Sequence, residues 1–155
     1  MIYVMSREEV INFYKENPDS VCPVISINDI GYDSPVPENH PKALRLYFDD
    51  VTPFEIENDL LHPYHVKALR SRSLVLFTDE MARSIVSFVK AATKDYIGEE
   101  IDLIVHCYAG VSRSVAVALA LYNSAPDVFN YVTGFDFNNC RMNPYVFGKL
   151  CKEIF

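Results

Sequence analysis

Short apolar runs alternate along this chain with longer segments whose apolar residues recur at helical spacing. Ile2–Met5 is the first such run and predicts a strand. Ser6 and Glu9 then form an S-x-x-E pair, in which each side chain caps the other residue's backbone N–H at a helix start. Val10, Ile11, Phe13 and Tyr14 continue at helical spacing until Asn17-Pro18-Asp19 ends the pattern. Residues 22–27 (CPVISI) predict a second, buried strand, and residues 31–41, rich in Pro, Ser and Asn, predict a loop. Over residues 43–48, Leu44, Leu46 and Phe48 alternate with Arg45 and Tyr47, a period-2 strand that runs into Asp49-Asp50. Residues 53–73 are less regular, with a helical piece around 65–70.

Thr78 is placed to cap a longer helix with an apolar stripe of Met81, Ile85, Phe88 and Val89. Asp79 and Glu80 fall in its first turn, where the helix dipole favours acids. Residues 101–106 (IDLIVH) predict another strand, and residues 114–122 are apolar nearly all round, as in a buried helix. A last amphipathic helix follows Asn143, carrying Val146, Phe147, Leu150 and Ile154. Strands alternating with helices predict an α/β class. The expectation is one domain over residues 1–155, with a central, mainly parallel sheet flanked by helices.

Composition narrows the function. Half of the chain is apolar and 23% is charged, an ordinary globular balance. No apolar run approaches the ~18–20 residues that span a bilayer, and the N-terminus lacks the basic and small-residue regions of a signal peptide. The formal charge of -7 sets up a field that repels polyanions. It argues against a nucleic-acid or membrane partner, but leaves room for one local anion site. Cys22, Cys107, Cys140 and Cys151 form no CxxC pair and no zinc spacing. They read as free thiols in a reducing compartment, so the expected location is cytoplasmic. Tyr and Phe are abundant, at ten each, and most are assigned to the core.

The chemistry concentrates in residues 105–114, VHCYAGVSRS. A strand ends at Cys107, a short loop of Tyr108, Ala109, Gly110, Val111 and Ser112 follows, and Arg113-Ser114 opens a helix. A loop turning into a helix N-terminus directs backbone N–H groups at one centre, which makes a cradle for an anion. Gly110 lets the backbone adopt angles that other residues resist. Arg113 brings a planar fork of donors suited to two phosphate oxygens. The same amides, dipole and guanidinium favour a thiolate on Cys107, and a thiolate beside bound phosphate is placed to attack phosphorus.

Cys-x5-Arg alone is a weak signal. With His106 before the cysteine, Gly110 within the loop and Ser114 after the arginine, the segment resembles the signature of the dual-specificity branch of the protein tyrosine phosphatases. HCYAGVSRS is closest to its small bacterial and viral members. The resemblance implies a dual-specificity phosphatase-like fold with no cofactor and no metal. It implies hydrolysis of phosphotyrosine in a protein or peptide substrate, with phosphoserine and phosphothreonine as further candidates. It also implies roles: Cys107 forms a phosphocysteine, and Arg113 binds phosphate with the loop amides from Tyr108 to Arg113. Ser114 helps the thiolate leave, and His106 braces the loop.

The family also needs a general acid on a loop after an upstream strand. By resemblance Asp50 fills that place, and strand alternation sets it on the side of Leu44, Leu46 and Phe48. Asp49 is adjacent. Asp79 stands closer to Cys107, at the spacing more usual for the family, and both remain open at this stage. Choosing Asp50 makes residues 55–73 an insertion. That segment holds His62, His65, Lys67, Arg70 and Arg72, read as a solvated helix face or a basic rim. Its H-x-x-H lacks a third ligand for a metal. Asn143-Pro144 with Phe147 resembles the family's final helix.

Rival functions include a phosphoinositide phosphatase, which tends to carry basic residues inside the cradle where this chain has Tyr108, Ala109, Val111 and Ser112 and no Lys, and an RNA 5′-phosphatase, disfavoured by the acidic charge. A phosphate-binding pseudophosphatase would lack the Cys, the Arg or the acid. Substrate identity and oligomeric state are not encoded in these patterns.

Overall fold

The computed structural model describes residues 1–95 and 99–154. They form a single small α/β domain. In chain order the elements are β1 (Ile2–Met5), α1 (Arg7–Glu16), β2 (Val24–Asn28), β3 (Ala43–Tyr47), α2 (Pro53–Glu57) and α3 (Pro63–Ala68). There follow α4 (Asp79–Thr93), β4 (Leu103–His106), α5 (Arg113–Ser124), β5 (Val132–Thr133) and α6 (Pro144–Ile154). The five strands make one sheet in the order β3-β2-β4-β1-β5, and every pairing is parallel.

The strands are apolar because both faces of the sheet are covered. Alternate residues supply the two sides. Ile2, Val4, Ile25, Ile27, Leu103 and Val105 join the large core under α4, α5 and α6. Val24 and Ile104 face the other way, with Tyr3 and Met5, onto Val10 and Tyr14 of α1. Helix α5 explains its own uniformity: Val115, Ala116, Val117, Ala118, Ala120 and Leu121 are all buried. Its small side chains let the sheet and α6 approach on opposite sides.

Local signals set most boundaries. Ser6 caps α1 in a full capping box with Glu9, and Thr78 accepts the Met81 N–H at the start of α4. The strands read at 22–27 and 101–106 run over Val24–Asn28 and Leu103–His106, and two regions depart further from the sequence reading. β3 stops at Tyr47, because the Asp49 N–H bonds the Val75 carbonyl instead of continuing the ladder. Residues 53–73 hold two short helices, α2 and α3, each opened by a proline after a capping residue, Thr52 and His62. β5 has two residues and no apolar pattern to announce it. No helix among the described residues is long and apolar enough to cross a membrane.

In a parallel sheet all carboxyl ends lie along one edge, and open α/β sheets bind ligands there. Here that edge carries Ser6 after β1, Asp29 after β2, Asp49 and Asp50 beyond β3, and Cys107 after β4.

Candidate active site

The segment from Cys107 to Arg113 wraps a pocket of about 420 Å³. Cys107 is buried at its base, where the Gly110 N–H donates to Sγ at 3.3 Å and the Ser114 hydroxyl lies 3.1 Å from Sγ. The Gly110 N–H is a donor aimed at the sulfur, and the Ser114 hydroxyl is able to supply a second. Gly110 has φ of +72°, and a Cβ there would come within 2.9 Å of the Ser6 backbone N. Glycine is therefore required twice over, for the turn and for the close passage of β1. The Arg7 N–H donates to the Tyr108 carbonyl and ties the loop to the start of α1.

Arg113 is the first residue of α5 and is almost fully buried. Nη1 donates to the Phe48 carbonyl and Nη2 pairs with Asp29, both at 2.8 Å. Its Nε is buried without a partner among the described residues. Two of the three guanidinium nitrogens are thus held by protein, which locks the plane of the fork. Burial disfavours its charge, but the facing Cys107, Asp29 and Asp50 outweigh this and raise its pKa.

The three candidate acids separate clearly. Asp50 lines the pocket, and its Oδ1 accepts from Ser112 Oγ at 2.7 Å and from Asn143 Nδ2 at 2.9 Å. Both bonds fall on the same carboxylate oxygen and fix the side chain against the pocket. Asp49 is buried outside the pocket and grips Arg72 through both oxygens, each at 2.8 Å, while accepting the Val75 N–H. Burial pushes its carboxyl up, but the Arg72 and Val75 hydrogen bonds prevail and hold it below the usual carboxylate range. Asp79 is exposed at the head of α4, bonded to Lys149 at 2.6 Å.

Behind the cradle stands a closed polar network. His106 Nδ1 lies 3.3 Å from the Cys107 carbonyl, which can only accept, so Nδ1 carries the hydrogen. Nε2, 2.6 Å from Ser26 Oγ, then accepts from that hydroxyl. Ser26 Oγ also lies 2.7 Å from Ser34 Oγ, accepts from Asn28 Nδ2 at 3.1 Å and stands 3.3 Å from Asn28 Oδ1. Every partner suits a neutral imidazole. Burial depresses the His106 pKa from 6.5 to about 4.

The sign of the linkage follows. Between pH 6.5 and 4 the unfolded chain binds the proton and the native state does not, so stability is complete above 6.5 and falls as pH drops towards 4. A shift of this size is worth on the order of 3 kcal/mol. His65 and His40 are also depressed by burial and add to the same slope. Urea midpoints measured from pH 7 to 4.5 should fall steeply for the wild-type chain. The His106→Gln variant should be weaker at pH 7 with a visibly flatter slope.

Several residues in or beside the pocket were not anticipated from sequence. Asp29 follows a fully buried strand, a position from which only an acid at the sheet edge could be inferred. Asn143 accepts the Tyr145 and Val146 N–H groups as the N-cap of α6 while holding Asp50, and an Asn before a Pro is a legible cap signal. Tyr32 and Tyr64 add aromatic walls beside Tyr108, which the sequence reading already places in the loop. The solvated-face reading of residues 55–73 is corrected at two positions. His65 is buried and lines the pocket, and Arg72 is committed to Asp49 rather than to a rim. His62 also lines the pocket, and its Nδ1 accepts the Tyr64 N–H as the cap of α3. No group of three metal-ligating side chains occurs among the described residues.

No family model matches this chain, and no curated protein matches it.

Proposed function

We propose that this chain is a cysteine-dependent protein phosphatase of the dual-specificity-like type, hydrolysing phosphotyrosine in polypeptide substrates through a phosphocysteine. One observation carries the reading: in a single pocket, Cys107 Sγ receives the Gly110 N–H and lies 3.1 Å from the Ser114 hydroxyl, while Arg113 and Asp50 line the same walls. The resemblance of residues 106–114 to that branch of phosphatases supports it, as does the position of the loop between β4 and α5 at the carboxyl edge of a parallel sheet.

The chemistry runs in two steps. Phosphate enters the cradle, and the loop amides with Arg113 neutralise its oxygens. The Cys107 thiolate attacks phosphorus, the P–O bond to the substrate breaks, and Asp50 gives its proton to the leaving oxygen. Asp50, now ionised, takes a proton from water, which attacks phosphorus. The S–P bond breaks, and the Ser114 hydroxyl stabilises the departing thiolate. Phosphate leaves, and no oxidant, metal or cofactor is consumed.

The pocket favours an aryl phosphate. Tyr32, Tyr64 and Tyr108 supply flat apolar walls, and the loop side chains include no Lys or Arg that would answer the extra phosphates of a phosphoinositide. The direct test is hydrolysis of nitrophenyl phosphate, followed by a panel of phosphotyrosine, phosphothreonine, phosphoinositide and RNA 5′-phosphate substrates. Phosphotyrosine peptides should be cleaved fastest. Faster cleavage of inositides or RNA ends would move the chain to another branch, and tight phosphate binding without turnover would make it a pseudophosphatase.

Arg113→Lys should behave like Arg113→Ala rather than like wild type. An ammonium cannot reach the Phe48 carbonyl, Asp29 and two phosphate oxygens in one plane. It also leaves Asp29 facing the pocket without its partner. A fall in kcat/KM on the order of 10²–10³-fold is expected for both variants. Wild-type kcat/KM in the lysine variant would show that a point charge suffices.

A further inference from the structure

The pocket around Cys107 does not stand alone. A cavity of about 410 Å³ adjoins it on the α1 side and shares Tyr32, Tyr108 and Ala109 with it. A second, of about 430 Å³, adjoins it on the α2 side and shares Asp50, His62, His65 and Ser112. The shared residues set the pocket that holds Cys107 between the other two. We infer that the three make a trench that binds an extended polypeptide across the phosphate site, and that its α2 arm takes an apolar side chain beside the phosphorylated residue. The inference rests on the phosphatase reading and adds the substrate's sequence preference to it.

The α2 arm has the chemistry for that occupant. Phe54, Met142 and Pro144 line it. Its two acids are committed: the Glu55 carboxylate accepts the Thr52 N–H in the capping box of α2, and Asp50 is held by Ser112 and Asn143, while the exposed Arg141 also lines the arm. Helix α2 buries none of its residues and is set by its caps and proline rather than by core packing. Yet it carries Phe54, which is 64% exposed, and Ile56, which is 41% exposed. Large apolar side chains on a helix without a core role mark a contact surface when they adjoin a site. Phe54 adjoins this one through the wall of Asp50, His62 and His65 that both cavities share. The opposite arm is more polar, with Arg7 stacked over the Tyr32 ring at 5.9 Å and donating to the Asp33 carbonyl. An apolar anchor therefore belongs on the α2 side.

The experiment pairs enzyme and substrate changes. Phosphotyrosine peptides with alanine flanks are compared with a series carrying leucine at each of three positions on either side. Wild-type enzyme should show roughly tenfold higher kcat/KM for leucine at one or two neighbouring positions on one side only. Phe54→Ala should erase that preference while leaving nitrophenyl phosphate hydrolysis and the melting temperature unchanged, because Phe54 is outside both the phosphate pocket and the core. A flat peptide series on an active enzyme, or a leucine preference that survives Phe54→Ala, would overturn the trench and leave the phosphatase reading intact. Wild-type enzyme inert towards nitrophenyl phosphate would overturn both.

Discussion

Cys107→Ser should abolish turnover and leave phosphopeptide binding in place. Serine is nearly isosteric, so the loop keeps its shape. The Gly110 N–H can still point at the residue's side chain, and the Arg113 fork stays locked by Phe48 and Asp29. On the proposed mechanism, what disappears is the polarisable nucleophile. A hydroxyl in the same place has no base beside it: the nearest side-chain group is the Ser114 hydroxyl, and His106 points its nitrogens at the Cys107 carbonyl and at Ser26. The loss of kcat should be on the order of 10⁴-fold or more, as for removal of other covalent nucleophiles. Calorimetric titration with a phosphotyrosine peptide should give a Kd close to that of the wild-type enzyme. Near-normal turnover by the serine variant would exclude the covalent route.

Asp50→Asn should divide substrates by leaving group. The amide keeps an oxygen to accept from Ser112 and Asn143, so the side chain stays in position, but it has no proton to give. Phosphotyrosine and alkyl phosphates need that proton, and their hydrolysis should slow by ~10²–10⁴-fold. Nitrophenyl phosphate, whose leaving oxygen bears charge easily, should lose far less. The neighbouring acids should respond differently. Asp49→Asn removes the charge that holds a half-buried Arg72 and weakens a two-point, charge-assisted contact, at a cost of about 1–3 kcal/mol. That variant should be less stable but should keep the wild-type leaving-group dependence. Asp79→Asn gives up an exposed pair with Lys149 and should change little. A leaving-group slope that steepens in Asp79→Asn and not in Asp50→Asn would reassign the acid to the head of α4.

The contrast between what was and was not legible in the sequence has a physical basis. The cradle is one contiguous stretch, and its strand, glycine and arginine each meet a local demand, so residues 105–114 announce it. The buried strands and α5 are legible because cover on both sides leaves only apolar positions. Groups brought together by the sheet are another matter. Asp29 and Asp50 come from separate segments that reach the site because parallel strands end along one edge, and Asn143 reaches Asp50 from the start of α6. Asp50 faces the pocket, but not through strand alternation, since β3 has already ended at Tyr47. Ser112 and Asn143 hold it there, and Arg72 draws Asp49 inward elsewhere. His65 and Arg72 were read as solvated because a charged helical segment usually is. Both instead serve the carboxyl edge, one against the pocket and one under Asp49. Thr52 with Glu55 is a capping box as clear as Ser6 with Glu9, and reading it would have located α2.

The central claim is the bond between Cys107 and phosphorus. Rapid acid quench during turnover of a phosphate-labelled aryl ester, followed by proteolysis and mass spectrometry, tests it directly. The account predicts a single phosphate on the peptide containing Cys107, formed within one turnover, absent from Cys107→Ser and accumulating in an enzyme whose second step is slowed. Phosphate on any other residue, or undiminished turnover with no covalent phosphate at Cys107, would contradict it.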